Sequence, residues 1–520
     1  MSEPDHIRAG KRIFGSLIQP DKLPGQYESG SYFSHLKATY PGYDEKAWQT
    51  NAGNTGWTVS RLGMGTYRMQ RDNRENYDAL REALISGTNV IDTSANYMDG
   101  SAESLIGDVI RDLKSAGRIQ RENIAIVTKA GYIQGKNSLL CAEVDFPEQT
   151  RFDRSLAHCI HPEFLENQIE LSRLRMGLET LDVILLHNPE YYLKKARQDE
   201  VPADEAQKEY YRRIHQAFDY LEEVRKEGRI QYYGISSNTF PVYGQYESTD
   251  LNKIDMDRYP GFKVIQFPAN LIERGFREGS LCRSARERGL WTLANRPLNA
   301  FQNKIGLLRL AGNAGTDDSE EAIQSLINLE EEMQDLEFRI QGELSDEKFH
   351  FDSRFPAAGS VIRYYLDRLR NPEQAHAATS ALSPVLQKTI NHLYGRAEIQ
   401  PDAKKESLHR LLESYVRRIN TALASLEKNV RARHHRFTRS LAGAIAERIP
   451  DLGSLDLSRI AIKYLLAGSC PATVLCGMRR LPYVRQLHTL YNEAAPSRLK
   501  DGIPGLEQRA VELWSKEFGF

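Results

Sequence analysis

The sequence predicts an α/β protein: a (β/α)8 TIM barrel with an N-terminal extension and an inserted α-helical subdomain. Two observations predict it. From Val59 onward, short β-branched or apolar runs alternate with stretches of helical periodicity, and eight such runs can be counted, the number that closes a parallel sheet on itself. Three consecutive runs end in an ionisable residue, Asp92, Lys129 and His187, and a barrel brings its strand ends to one face. An open doubly wound sheet also alternates, but no G-x-G-x-x-G turn follows the first run, where a dinucleotide-binding sheet would carry it. The chain divides into an extension at 1–57, a first barrel part at 58–302, a helical insertion at 303–454, and a barrel completion with C-terminal helices at 455–520.

Residues 1–57 are rich in Gly, Tyr, Pro and charge without a sustained period, and read as an irregular extension packed on the domain surface. Residues 61–69 are strand-like, and 76–85 are helical, with Tyr77, Leu80, Ala83 and Leu84 on one face. Val90 and Ile91 form a buried strand that stops at Asp92; Tyr97 stands in the turn, Asp99-Gly100 ends it, and Ser101 with Glu103 opens a helix. Residues 124–128 are a strand ending in Lys129, and 181–186 a strand ending in His187. A helix at 210–226 stops at Gly228, and the strand 230–235 leads into Ser236-Ser237-Asn238. Residues 263–267 form the sixth strand, with Gln266 near its end; a helix at 281–288 and a strand at 291–294 follow. Far downstream, 460–466 is helical and 472–475 is the eighth strand.

Composition excludes several classes. Lysine and arginine number 69 against 70 acidic residues, so the charge balance calls for neither nucleic acid nor a membrane surface as partner. No run of about 18 apolar residues occurs, and residues 1–30 lack a signal-peptide core. The five cysteines (Cys141, Cys159, Cys282, Cys470, Cys476) are odd in number and lack C-x-x-C spacing, which argues against a disulfide framework or a zinc site and for a reducing, cytoplasmic setting.

The strand ends carry the chemistry. A free phenol has a pKa of about 10, and a neighbouring ammonium lowers it. Lys129 is the candidate ammonium for Tyr97, and Asp92 is the counter-ion that a lysine at an apolar barrel mouth would need. His187 is placed to hydrogen-bond the phenol or a substrate oxygen. Together these make a proton donor beside an electrophilic carbonyl, with hydride left to a cofactor.

The run Asp92-Thr93-Ser94-Ala95-Asn96-Tyr97 with Gly100, Glu103 and Ile106-Gly107, then Lys129, then Leu185-Leu186-His187, resembles the aldo-keto reductase family, whose members are NADPH-dependent (β/α)8 barrels with an Asp, Tyr, Lys, His tetrad. The segment 221–234 is similar to the family's stretch ahead of its fifth strand, and Ser236, Ser237, Asn238 and Gln266 match positions that bind the nicotinamide carboxamide. The resemblance covers about 59–302 and 455–490. It implies Tyr97 as general acid, Lys129 and Asp92 as its tuning pair, and His187 as the group that orients the substrate carbonyl. After the seventh strand the family has an aromatic residue that stacks on the nicotinamide; here Asn295 stands at about that position, followed by Arg296 and Leu298 as further cofactor contacts. Residues Gly477, Met478, Arg479 and Arg480 resemble the stretch that holds the adenosine 2′-phosphate, with Arg485 a further candidate, so NADPH is favoured over NADH; an ordinary surface arginine pair is the alternative.

Between the seventh and eighth strands, Leu326, Leu329, Met333, Leu336 and Ile340, and again Leu412, Val416, Ile419, Leu423, Leu426 and Val430, recur three and four apart, the spacing of two helices with narrow apolar seams. Val361, Ile362, Tyr364, Tyr365 and Leu366 suggest a third helix. The seams read as the packing of a small bundle, with a docking surface for a protein partner or a second copy as the alternative. The insertion leaves the barrel between loops that would bind cofactor phosphates, so it is expected to border that site. The basic run Arg431, Arg433, His434, His435, Arg436 and Arg439 reads as a solvated helix face, and its adjacent histidines cannot share a metal. In the loop 135–161, Arg151, Arg154, His158 and His161 either contact an anionic or hydroxylated substrate or are ordinary loop residues. Two functions follow: an oxidoreductase acting on aldehydes, ketones or sugar-like hydroxyls, or a nucleotide-binding barrel that reports redox state through its insertion.

Overall fold

The computed structural model describes residues 36, 47–49, 51–140, 144–303, 305–312, 319–344, 349–366, 368–492, 496, 499 and 502–519. Most of the extension and Cys141 lie outside the described residues. Two compact units divide the chain, one of residues 1–300 and 461–502, the other of 301–460 and 503–520.

The first unit is a closed barrel of eight parallel strands: β1 (Leu62–Gly65), β2 (Val90–Asp92), β3 (Ala125–Ala130), β4 (Leu181–His187), β5 (Ile230–Ser236), β6 (Phe262–Pro268), β7 (Trp291–Asn295) and β8 (Thr473–Cys476). Each strand pairs with its neighbours in sequence, and β8 closes on β1 with Val474 opposite Leu62. Strands buried on both faces read as near-continuous apolar runs, because helices cover the outside and side chains fill the inside; every residue of β2, β3 and β4 is buried. Trp57, Val59, Val90, Val127, Val183, Leu185, Val264, Trp291 and Leu293 form one apolar cluster. The described part of the extension contributes to it. A two-stranded pair of Trp48–Gln49 with Val59–Ser60 brings Trp57 edge-on against Trp291 at 6.3 Å. Gly53 makes that approach possible: its φ is +57°, and a β-carbon there would lie 2.4 Å from the Trp291 amide nitrogen.

Helices on this unit begin and end where short polar side chains and glycine allow. In α1 (Arg74–Ile85) the Asn73 side chain accepts from the Asn76 amide, and Glu75 lies in the first turn. Helix α2 (Ser101–Ser115) follows the Tyr97 turn. Helix α3 (Pro162–Met176) has Pro162 at its start and ends at Gly177 with φ +66°. Then come α4 (Tyr191–Gln198), α5 (Ala203–Lys226) and α6 (Leu281–Glu287).

The second unit is helical: α7 (Ser319–Glu343), α8 (Ala358–Leu366), α9 (Pro372–Glu398) and the 45-residue α10 (Asp402–Ala446). Met333, Leu336 and Ile340 of α7 meet Leu386, Ile390 and Leu393 of α9 and Leu412, Tyr415 and Ile419 of α10 in one core. The Tyr415 hydroxyl donates to Glu337 Oε1 at 2.6 Å inside it. Past α11 (Leu457–Leu466), β8 and α12 (Leu481–His488), the last helix α13 (Leu506–Phe518) groups with this helical unit.

The structure departs from the sequence-based expectations in four respects. The basic run on α10 is not a wholly solvated face: His434 is fully buried with Nε2 on the Arg309 carbonyl oxygen at 3.1 Å, Arg433 donates to the Glu517 carbonyl oxygen, and Arg436 pairs with the Glu517 side chain at 2.7 Å. Helix α13 covers that side of α10. The cysteines do form a bridge, Cys282 to Cys470, across a sequence separation of 188, too far apart for any spacing rule to detect; Cys159 and Cys476 are buried and not disulfide-bonded. The segment 135–161 is not all loop, since Leu156–His158 pairs antiparallel with Tyr132–Gln134 on one side and with Thr150–Arg151 on the other in a three-stranded sheet. Helix α9 is not among the helices expected from the sequence. No described helix is long and apolar enough to cross a membrane.

Candidate active site

Parallel pairing aligns the strand ends. Asp92 lies opposite Val127, Lys129 opposite Leu185, His187 opposite Ser236, and Ser236 opposite Gln266, so residues from β2 to β6 reach the same rim. The Lys129 ammonium, fully buried, sits 2.6 Å from Asp92 Oδ1 and donates to the Thr93 carbonyl oxygen at 2.7 Å. Burial draws the lysine below its ordinary range, and the Asp92 charge opposes that.

Tyr97 enters on a constrained turn. Met98, Asp99 and Gly100 have φ of 48°, 56° and 85°, three left-handed residues in succession, a conformation that costs a non-glycine residue about 1 kcal/mol or more. Asp99 helps to hold it by accepting the Lys136 amide through Oδ1 at 3.0 Å. Behind the turn the buried Glu103 carboxylate takes the Thr128 hydroxyl at 2.6 Å and pairs with Arg175 at 3.0 Å, fixing α2 and α3 against the Lys129 strand.

Lys129 Nζ lies over the Tyr97 ring, 5.1 Å from its centroid. Among the described residues the Tyr97 hydroxyl has no hydrogen-bond partner. The expected lowering of the phenol pKa is not what this geometry gives. Burial, then the Asp92 and Tyr67 charges, push Tyr97 well above the ordinary phenol range, because Asp92 takes up the lysine charge and the hydroxyl is desolvated. The group is a protonated phenol at neutral pH.

His187 is buried, its ring edge-on to Tyr97 at 6.1 Å and to Tyr132 at 4.7 Å between centroids. Burial, then the nearby Lys129 charge, hold it well below the ordinary histidine range, so it is neutral. Its Nδ1 is 3.0 Å from Ser94 Oγ. Behind it, His158 Nε2 donates to the His187 carbonyl oxygen at 2.7 Å and the His158 ring stacks on Tyr191. His158 is therefore a support of the site rather than a surface contact. His161 caps α3, and Arg151 pairs with Asp145. Tyr132, Phe152 and Tyr191 form an aromatic wall next to His187.

The residues expected to hold a nicotinamide fall into three groups. Gln266 is central: Nε2 donates to Asp92 Oδ1 at 2.7 Å, while Oε1 accepts from Ser236 at 2.9 Å and from Asn295 at 3.3 Å. Ser237 instead bonds Thr249 and Thr239, and the Asn238 amide donates to the buried Glu190 at 2.9 Å. Arg296, at φ 53°, pairs with Glu273 at 3.0 Å, and Leu298 is half-buried on the turn that follows. After β8, Gly477 is exposed and Met478 buried; the Arg479 carbonyl oxygen accepts from Asn76, while Arg480 and Arg485 reach Glu75 at 3.3 Å and Glu82 at 3.9 Å on α1.

Three buried polar atoms near these strand ends, Thr93 Oγ1, Glu190 Oε2 and Asn295 Oδ1, have no hydrogen-bond partner among the described residues. A buried polar atom without a partner is costly, so the rim suits a polar ligand such as a nicotinamide carboxamide and its ribose. Ser94, Glu190 and Tyr132 carry no role in the sequence-based expectations, although each lies within three residues of an assigned strand end or tetrad position. Among the described residues no cluster could hold a metal ion.

Residues 61–319, about half the chain, match the family model for the aldo/keto reductase family. The chain is 23% identical over 257 residues to the NADH-specific methylglyoxal reductase of Escherichia coli, covering 47% of this chain and 66% of that protein. It is 25% identical over 187 residues to aldo-keto reductase family 1 member C13 of Mus musculus, covering 35% and 49%. Among solved structures, an aldo/keto reductase from Klebsiella pneumoniae in complex with NADP and acetate is 20% identical, covers 48% of this chain and 68% of its own, and superposes with a TM-score of 0.31. A glycerol dehydrogenase from Gluconobacter oxydans is 14% identical over 91% of this chain and 97% of its own, with a TM-score of 0.45. The chain spans about half to two thirds of the length of the curated relatives it matches. By its family match and its closed eight-stranded barrel, this chain belongs to the aldo/keto reductase family.

Proposed function

We propose that the barrel reduces a small aldehyde or ketone with NADPH, using Tyr97 as proton donor. The buried ion pair of Asp92 with Lys129 at 2.6 Å, beside a phenol whose hydroxyl has no hydrogen-bond partner among the described residues, carries this reading. The nicotinamide, when bound, supplies the hydride. Tyr97 gives its proton to the carbonyl oxygen as charge develops there. Lys129 stabilises the phenolate left behind across the ring face, and Asp92 keeps the lysine charged in a buried place. His187 hydrogen-bonds the same substrate oxygen. The aromatic wall of Tyr132, Phe152 and Tyr191 excludes water and suits an uncharged substrate.

Ser236, Asn238, Gln266 and Asn295 would hold the carboxamide, with Ser237, Arg296 and Leu298 shaping the same end of the groove and Gly477 and Met478 the other. Arg479, Arg480 and Arg485 would meet the 2′-phosphate, which favours NADPH over NADH.

Stopped-flow mixing of NADPH-loaded protein with a panel of small aldehydes and ketones, read by nicotinamide absorbance, tests the proposal. Oxidation that disappears in Tyr97→Phe is the expected result. Tight NADPH binding without oxidation across the panel would overturn it in favour of a nucleotide-binding regulatory barrel.

A further inference from the structure

We infer that Ser94 is a positioning residue: its hydroxyl donates to Nδ1 of His187 and so holds that ring as the Nε2–H tautomer, the form able to donate to a substrate oxygen. The inference rests on His187 being the partner of that oxygen.

Ser94 is buried at the exit of β2, and its single hydroxyl proton has three neighbours. Oγ lies 3.0 Å from His187 Nδ1, 2.6 Å from the side-chain Oδ1 of Asn96 and 3.2 Å from the Lys129 carbonyl oxygen. The Lys129 carbonyl already accepts the Ala95 amide at 3.1 Å and needs no second donor. The oxygen and nitrogen of the Asn96 amide exchange places by a half turn that leaves its shape unchanged. With its NH2 toward Ser94, Asn96 donates to Oγ, Oγ donates to Nδ1, and the remaining ring proton sits on Nε2. All donors then point the same way.

The opposite order has a different chemical outcome. If Ser94 gave its proton to Asn96, Nδ1–H would become the donor to Oγ, and Nε2 would present a bare lone pair to an oxygen that also has only lone pairs to offer. A charged imidazolium would donate from both nitrogens whatever Ser94 did. Burial keeps His187 neutral, so the ring has one proton to place, and its neighbours decide where. The ring cannot turn away easily, since its backbone carbonyl is held by His158 at 2.7 Å and Tyr132 packs perpendicular to it with centroids 4.7 Å apart.

The test uses the full chain labelled with 15N-histidine, without cofactor, and two-bond proton–nitrogen correlation spectra, with His187 identified by its loss in His187→Gln. Wild type is expected to show Nδ1 as the unprotonated nitrogen. Asn96→Asp, whose carboxylate only accepts, draws the Ser94 proton away and is expected to move His187 to the Nδ1–H form, while Ser94→Ala yields a mixture. In Ser94→Ala, kcat for carbonyl reduction is expected to fall about tenfold with NADPH affinity unchanged. An Nδ1–H form in wild type, or a tautomer that neither variant moves, would overturn the inference. A fixed Nε2–H form in a protein without reductase activity would uphold the role of Ser94 and reject the functional reading instead.

Discussion

Lys129 and Asp92 face each other at 2.6 Å across β3 and β2, and the carboxylate oxygen that takes the ammonium also accepts Gln266 Nε2 at 2.7 Å from the far side of the barrel. The candidate proton-transfer centre and the candidate cofactor contacts are thus one hydrogen-bonded unit. Removing only one charge from such a pair leaves the other buried and unpaired. Lys129→Met is therefore expected to lower stability by about 3–5 kcal/mol in urea unfolding. Adding Asp92→Asn should restore most of that loss while leaving carbonyl reduction abolished, which separates the structural from the chemical role.

The raised pKa of Tyr97 sets a pH signature. A phenol lifted above its usual value of about 10 stays protonated through neutral and mildly alkaline solution, so kcat for reduction should be flat from about pH 6 to about 9. Oxidation of the alcohol needs the phenolate and should rise about tenfold per pH unit over the same range. A reduction rate that declines across that range would contradict a desolvated phenol. Tyr97→Phe should lose about 10²–10⁴-fold in both directions without a change in folding.

Arg480 and Arg485 already balance Glu75 and Glu82 on α1, so their removal should perturb little but anion binding. Arg480→Ala with Arg485→Ala is expected to weaken NADPH about tenfold and leave NADH unchanged in equilibrium titration. Equal weakening of both cofactors would place the 2′-phosphate elsewhere.

His158 is buried neutral, and burial brings its pKa down to about 4. Between its ordinary value of about 6.5 and that point, the unfolded chain binds the proton and the folded chain does not, so stability falls as pH drops through this window. His158 contributes up to about 1.4 kcal/mol per pH unit to that slope. His158→Gln keeps a donor for the His187 carbonyl, and urea unfolding between pH 4 and 7 is expected to show a shallower slope by about that amount.

The barrel was legible because its strands are apolar runs ended by a polar residue, and Leu181–His187 is the clearest case. The four strand-end and turn residues of the centre were legible for the same reason, through their order along the chain. What sequence reasoning missed is equally physical. Helix α9 buries Ala375, Thr379 and Ala397 beside its leucines and contains Pro384, so its seam is too small in side-chain size to register and its proline reads as a stop. The expected acidity of Tyr97 failed because charge proximity is readable from a sequence whereas desolvation is not.

Residues 303–454 lie wholly between Cys282 and Cys470. A protease that nicks the insertion leaves two polypeptides joined by sulfur, with the strand Thr473–Cys476 still tethered to the piece that carries the other seven. On a denaturing gel such nicked protein should migrate as one species until a thiol is added and as two afterwards. Covalent integrity of the barrel is therefore independent of an unbroken backbone through its largest insertion.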